Sequence, residues 1–91
     1  MAEPDADTIH LSLPADESMR PVVEVAIGVL ARRWDLSDDD VAAARIAAGD
    51  ALVELAREGT ADTIAIEVHA TPGGLTVHLV TPARAVRLTL P

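Results

Sequence analysis

The chain has no cysteine, no lysine, no phenylalanine and no tyrosine. Without cysteine there is no disulfide, no thiolate nucleophile and no zinc–thiolate centre. Trp34 is the one aromatic residue apart from histidine, so the core must be assembled from valine, isoleucine, leucine and alanine. Positive charge is scarce as well. Seven arginines face fifteen carboxylates, a net charge of −8. That balance argues against nucleic acid or an anionic membrane as the main partner and suits a basic protein surface. No apolar run approaches the length needed to span a bilayer. The first residues, MAEPDADT, are acidic and polar, unlike a secretory leader, so a soluble cytoplasmic protein is expected.

What is present suffices for one folded domain. Ninety-one residues, 49% of them apolar, provide a single modest core. Residues 1–7 are expected to be a disordered tail and residues 8–91 the domain. Thr8 to Leu13 alternates, with Ile9, Leu11 and Leu13 on one face and Thr8, His10 and Ser12 on the other, as in a half-buried strand. Pro14 ends it. From about Glu17 to Trp34 the length favours a helix, with Pro21 in its first turn. Glu24, Gly28, Ala31 and Arg32 form a narrow polar arc on that helix, and the rest is apolar, so it is expected to be largely buried.

A second helix is more sharply marked. Ser37 is its N-cap, Asp38, Asp39 and Asp40 occupy its positive end, and Gly59 follows Glu58 as the terminating residue. Val41, Ala44, Ala48, Leu52 and Leu55 form its apolar stripe, which Ile46 and Val53 widen. Asp50, Glu54 and Glu58 lie on the polar arc. Two alternating segments follow, with Ile64, Ile66 and Val68, then Leu75, Val77 and Leu79, on one face. They flank the turn Thr71-Pro72-Gly73-Gly74. Pairing Thr71 with Gly74 also pairs Val68 with Val77 and Ile66 with Leu79, a register that keeps one face apolar. A last strand, Arg84 to Leu90, places Val86, Leu88 and Leu90 inward. The expected fold is α+β. It is a two-layer sandwich in the order β-α-α-β-β-β, with two helices on one face of a mostly antiparallel four-stranded sheet.

Three strings carry a family resemblance: LSLPAD (11–16), VLARRWDLSDDDV (29–41) and ARIAAGDALVELARE (44–58). With the hairpin, they make the chain similar to the anti-sigma factor serine kinases of the histidine-kinase-like ATPase superfamily. In those kinases the second helix carries a glutamate and, four residues later, a magnesium-holding asparagine. The matching positions here are Asp50 and Glu54. The family's Asp-x-Gly-x-Gly loop after the hairpin, whose aspartate reads the adenine, is matched by Thr81-Pro82-Ala83-Arg84, and the glycine-rich lid has no counterpart. Phosphate binding needs closely approaching backbone amides. The resemblance therefore implies a truncated, degenerate relative with no cofactor and no kinase activity. Such a bacterial regulatory module would act on a protein partner: a sigma factor, its antagonist or a related kinase, with self-association through sheet edges a further option.

Candidate sites remain open beside simpler readings. Asp50 and Glu54 share a helix face and could hold a cation, or form a solvated acidic face balanced by Arg57. His10, His69 and His78 all point away from the helices, with Glu67 opposite His78. That face could bind a metal through His69, His78 and Glu67, serve as a partner surface or the interface of a structural subunit, or be ordinary polar pairing. Arg20, Arg32, Arg33 and Arg45 are candidate contacts for partner carboxylates, and Trp34 is a candidate anchor or a core cap. No nucleophile constellation is visible around Ser12, Ser18 or Ser37.

Overall fold

A computed structural model describes residues 8–71 and 74–90. The expected tail at 1–7 and the turn residues Pro72 and Gly73 lie outside the described residues, as does the side chain of Leu90. Strand β1 (Thr8–Pro14) leads through a short 3-10 turn (Glu17–Met19) into helix α1 (Arg20–Arg33), followed by α2 (Asp38–Glu58), β2 (Thr63–Thr71), β3 (Gly74–Val80) and β4 (Ala85–Leu90). The strands form one sheet in the order β1-β2-β3-β4, antiparallel throughout. The hairpin register is the one the apolar alternation demands: Val68 opposite Val77, Ile66 opposite Leu79 and Thr71 opposite Gly74. The shortest dimension, 18 Å, matches one helical layer on one sheet layer.

Helix boundaries follow local chemistry. Ser37 caps α2, its Oγ accepting from the Asp40 amide at 3.2 Å, and Asp38, Asp39 and Asp40 fill the first turn. Gly59 ends α2 at φ 67°, the left-handed geometry that glycine adopts without a Cβ penalty. Helix α1 has no side-chain cap, but Pro21 sits in its first turn. It ends in a left-handed residue that is not glycine, Asp35 at φ 61°. Asp35 donates its amide to the Arg32 carbonyl at 3.1 Å and Leu36 to that of Ala31 at 3.2 Å, which satisfies the last turn.

One core joins the layers. It combines Val23, Ile27 and Ala31 of α1 with Val41, Ala44, Ala48, Leu52 and Leu55 of α2 and the inner residues of β2 and β3. Val86 and Leu88 of β4 and Ile9, Leu11 and Leu13 of β1 pack at its margins, as does Trp34, which is half-buried against it.

The packing of α1 departs from expectation. Gly28 and Ala31, assigned by the wheel to a polar arc, are buried, while Val22, Val25 and Val29 are 45%, 62% and 63% exposed. The helix is not largely buried. Its small residues face α2, where a Cβ on Gly28 would come within 3.0 Å of Arg45 Cδ, and its valines face outward. In a two-layer domain a helix has one covered side, and close approach of two helices selects glycine and alanine for it. Ile46, expected to widen the stripe of α2, is likewise 57% exposed.

Candidate functional site

Three surfaces hold the chemistry-bearing residues. The first is the polar arc of α2. Asp50 Oδ1 takes a hydrogen bond from Arg20 Nη2 at 2.8 Å, and Arg20 Nε donates to Glu24 at 2.9 Å. Glu54 is bound by Arg84, whose Nε also reaches Glu58 Oε2 at 2.7 Å. Arg57, the expected counter-charge of this face, pairs instead with Glu17 at 3.0 Å. These carboxylates hold Arg20 and Arg84 more firmly protonated than an ordinary arginine, Asp50 before Glu24 in the first case and Glu54 first in the second. An open hollow of about 400 Å³ lies between Arg20, Asp50, Val53, Glu54 and Arg57.

Arg84 owes its position to a tight turn. Thr81 Oγ1 donates to the Arg84 carbonyl and accepts from the Arg84 amide, each at 3.2 Å, and the Thr81 amide reaches the same carbonyl at 2.9 Å. Thr81 is buried and Ala83 exposed. The resemblance places a nucleotide loop at Thr81–Arg84 and a magnesium ligand at Glu54. The residues present do not fit that group. A guanidinium spans from the turn to α2 and occupies the acidic oxygens, and the turn has no glycine to bring amides close to phosphate.

The second surface is the outer face of the sheet. Register places His10 opposite Glu67, Glu67 opposite His78 and His78 opposite Arg87. Glu67 gathers two of the histidines, His69 Nε2 at 2.6 Å from Oε1 and His10 Nδ1 at 3.3 Å from Oε2. His69 Nδ1 is 3.0 Å from the Thr8 hydroxyl. Nε2 donates to the carboxylate while Nδ1 pairs with the hydroxyl, which can act as donor or acceptor. The His69 hydrogen bond holds the Glu67 carboxyl below its ordinary value, opposed by burial and assisted by the charges of His69, His10 and His78. His69 and His78 meet edge to face at 5.9 Å, and His78 Nε2 is buried with no partner among the described residues. The metal arrangement weighed for His69, His78 and Glu67 does not form. Among the described residues no three histidine, aspartate or glutamate side chains converge where a metal ion could be held.

The third surface was missed by the sequence reading. Val22, Val25 and Val29, with half-buried Ala26, make an apolar stripe along the outside of α1. Beside it runs a groove of about 220 Å³ lined by Val25, Val29, Arg32 and Arg45 among others. Arg32, Arg33 and Arg45 form no ion pair among the described residues, whereas Arg20 is committed to Glu24 and Asp50. Of the arginines singled out as partner contacts, Arg20 is thus engaged within the domain, Arg32 and Arg45 line the groove beside the stripe, and Arg33 lies in the last turn of α1. Trp34 belongs to the core margin. The signal for the stripe was present in the spacing of residues 22, 25, 26 and 29, masked by the second apolar stripe of the same helix.

No protein-family profile matches the chain, and no curated protein matches it. No helix among the described residues is long and apolar enough to cross a membrane.

Proposed function

We propose that this protein is a non-catalytic interaction module, a degenerate form of an ATPase-like fold that works through protein contacts. The observation that carries the reading is Arg84. It bridges from the Thr81–Arg84 turn to Glu54 and Glu58, filling with an internal ion pair the place where the resemblance expects nucleotide and magnesium. An acidic pair neutralised in this way is poorly disposed to collect a cation, since a divalent oxygen site draws on several free ligands. What remains exposed is suited to protein recognition: an apolar stripe bordered by arginines that form no ion pair among the described residues, which resembles the composition of interface centres. The partner class implied by the resemblance is a sigma factor, its antagonist or a related kinase, and a cytoplasmic location follows from that partner class.

Two measurements test this. Calorimetric titration with magnesium–ATP is expected to give no binding heat, and saturable binding would return the chain to the nucleotide-using class. Affinity capture from source-cell lysate, followed by titration of each recovered protein in purified form, is expected to yield a transcription regulator. Recovery of unrelated subunits alone would discard the regulatory reading.

A further inference from the structure

We propose that the acidic segment of residues 1–7, which lies outside the described residues, docks in the groove beside the outer stripe of α1 and pairs its carboxylates with Arg32, Arg33 and Arg45. The inference rests on the interaction reading and adds to it a regulator of the same surface, carried by the chain itself. Topology sets the reach. Strand β1 starts at Thr8 and rises about 23 Å over its seven residues to Pro14, where the chain turns into α1. Helix α1 packs back over the sheet for fourteen residues, about 21 Å. Its arginine end therefore returns to the end of the domain at which Thr8 stands. A segment of seven residues extends up to about 23 Å. The helical rise from Val25 to Arg32 is only about 10 Å, so the segment can run the length of the groove.

Charge selects this occupant. Glu3, Asp5 and Asp7 are the charged side chains of the segment, and all are acidic. Arg32 and Arg45 line the groove and Arg33 lies in the last turn of α1, and none of the three forms an ion pair among the described residues. Nearby carboxylates do not fill the role. Glu24, which also lines the groove, is held by Arg20 at 2.9 Å, and Arg20 is further tied to Asp50. Asp35, Asp38, Asp39 and Asp40 belong to the junction of the helices, and none pairs with these arginines among the described residues. The last three sit at the positive end of α2. Pattern agrees with charge. In an extended segment Glu3, Asp5 and Asp7 fall on one side and Ala2, Pro4 and Ala6 on the other. One side suits the arginines and the other suits Val25 and Val29. Exposed ion pairs are weak and screened by salt, but a short tether raises the local concentration to the millimolar range. An intrinsic affinity of that order covers the groove about half the time, which weakens a protein partner of the same groove about twofold.

The chain has no cysteine, so Ala2→Cys takes a single nitroxide label, read in the purified full chain by paramagnetic broadening of amide NMR signals. The label is expected to broaden Val25 and Val29 more than His69 and Thr76, which the strand register places in line with Thr8. A freely moving segment would broaden both pairs alike. Combining Glu3→Gln, Asp5→Asn and Asp7→Asn is expected to remove the preference, as is about 1 M salt, where the screening length is about 3 Å. Arg32→Glu with Arg45→Glu is expected to remove it too, and adding Glu3→Arg, Asp5→Arg and Asp7→Arg to restore it. Equal broadening of the two pairs, or a preference that survives neutralisation, overturns the proposal. The measurement needs no partner, so its failure is separable from that of the regulatory reading. A docked segment in a chain that binds no transcription regulator keeps this inference and sinks that reading. A regulator bound by a chain whose segment stays undocked does the reverse. Where both hold, the neutralised segment is expected to tighten partner binding about twofold.

Discussion

The two helices are built from similar residues and do opposite work. Both carry an inward apolar stripe, but their outer faces differ. The outer arc of α2 is acidic and tied down by arginines from outside the helix, Arg20 at the start of α1 and Arg84 in the β3–β4 turn. The outer arc of α1 is apolar, with arginines at one end that form no ion pair among the described residues. Tied charges cost little to leave in water and give a partner nothing to gain. Exposed valines beside guanidinium groups without a carboxylate among the described residues leave free energy to be recovered by a partner. The proposed interaction role of α1 rests on this contrast.

Core truncation breaks the contrast most sharply. Leu52 of α2 is fully buried, so Leu52→Ala is expected to cost about 2–5 kcal/mol in chemical denaturation. Val29→Ala on the exposed face of α1 is expected to change stability by less than about 0.5 kcal/mol. Equal losses at the two positions would mean that α1 is covered in solution.

Next come the helix ends, which also differ. Ser37→Ala removes the side-chain cap of α2 and is expected to cost about 1 kcal/mol. Asp35→Gly acts in the opposite sense. Asp35 ends α1 at φ 61°, so glycine is expected to relieve strain and raise stability by up to about 1 kcal/mol, offset in part by greater freedom in the unfolded chain. A destabilised Asp35→Gly protein would show that the aspartate side chain has a role there.

The smallest effect concerns the outer sheet face. Glu67 has a folded-state pKa below its ordinary value of 4.5, caused first by the His69 hydrogen bond. A depressed carboxyl contributes stability that is fully present above the ordinary value and is lost as pH falls through the folded-state value. The wild-type protein is therefore expected to melt above Glu67→Gln at pH 6, with the difference shrinking below pH 4.5. A difference that grows on acidification would place the stabilising interaction elsewhere.

Much of the fold was legible because several local signals agreed. Ser37, the three aspartates and Gly59 bound α2 at the residues observed, and pairing Thr71 with Gly74 across the turn agreed with the alternation of residues 64–68 and 75–79 on one hairpin register. The candidate sites were less legible. His10 carries no mark in the sequence that it lies opposite Glu67, since that depends on β1 pairing with β2. Arg84 is 30 residues from Glu54 in the chain, and nothing local says that it crosses to α2. The outward valines of α1 defeated the wheel for a different reason: hydrophobicity reports a preference for burial and not the number of neighbours available.

The sequence by itself determined the order of the main elements, both ends of α2 and which face of each strand is apolar, because capping, periodicity and turn chemistry act over a few residues. The helix expected from about Glu17 begins instead at Arg20, after a 3-10 turn. Only the tertiary structure decided which charges pair, which histidines meet and which apolar face of α1 is left in water. Those outcomes depend on the order of strands and the side from which α2 approaches, and both are settled by contacts between residues far apart in the chain.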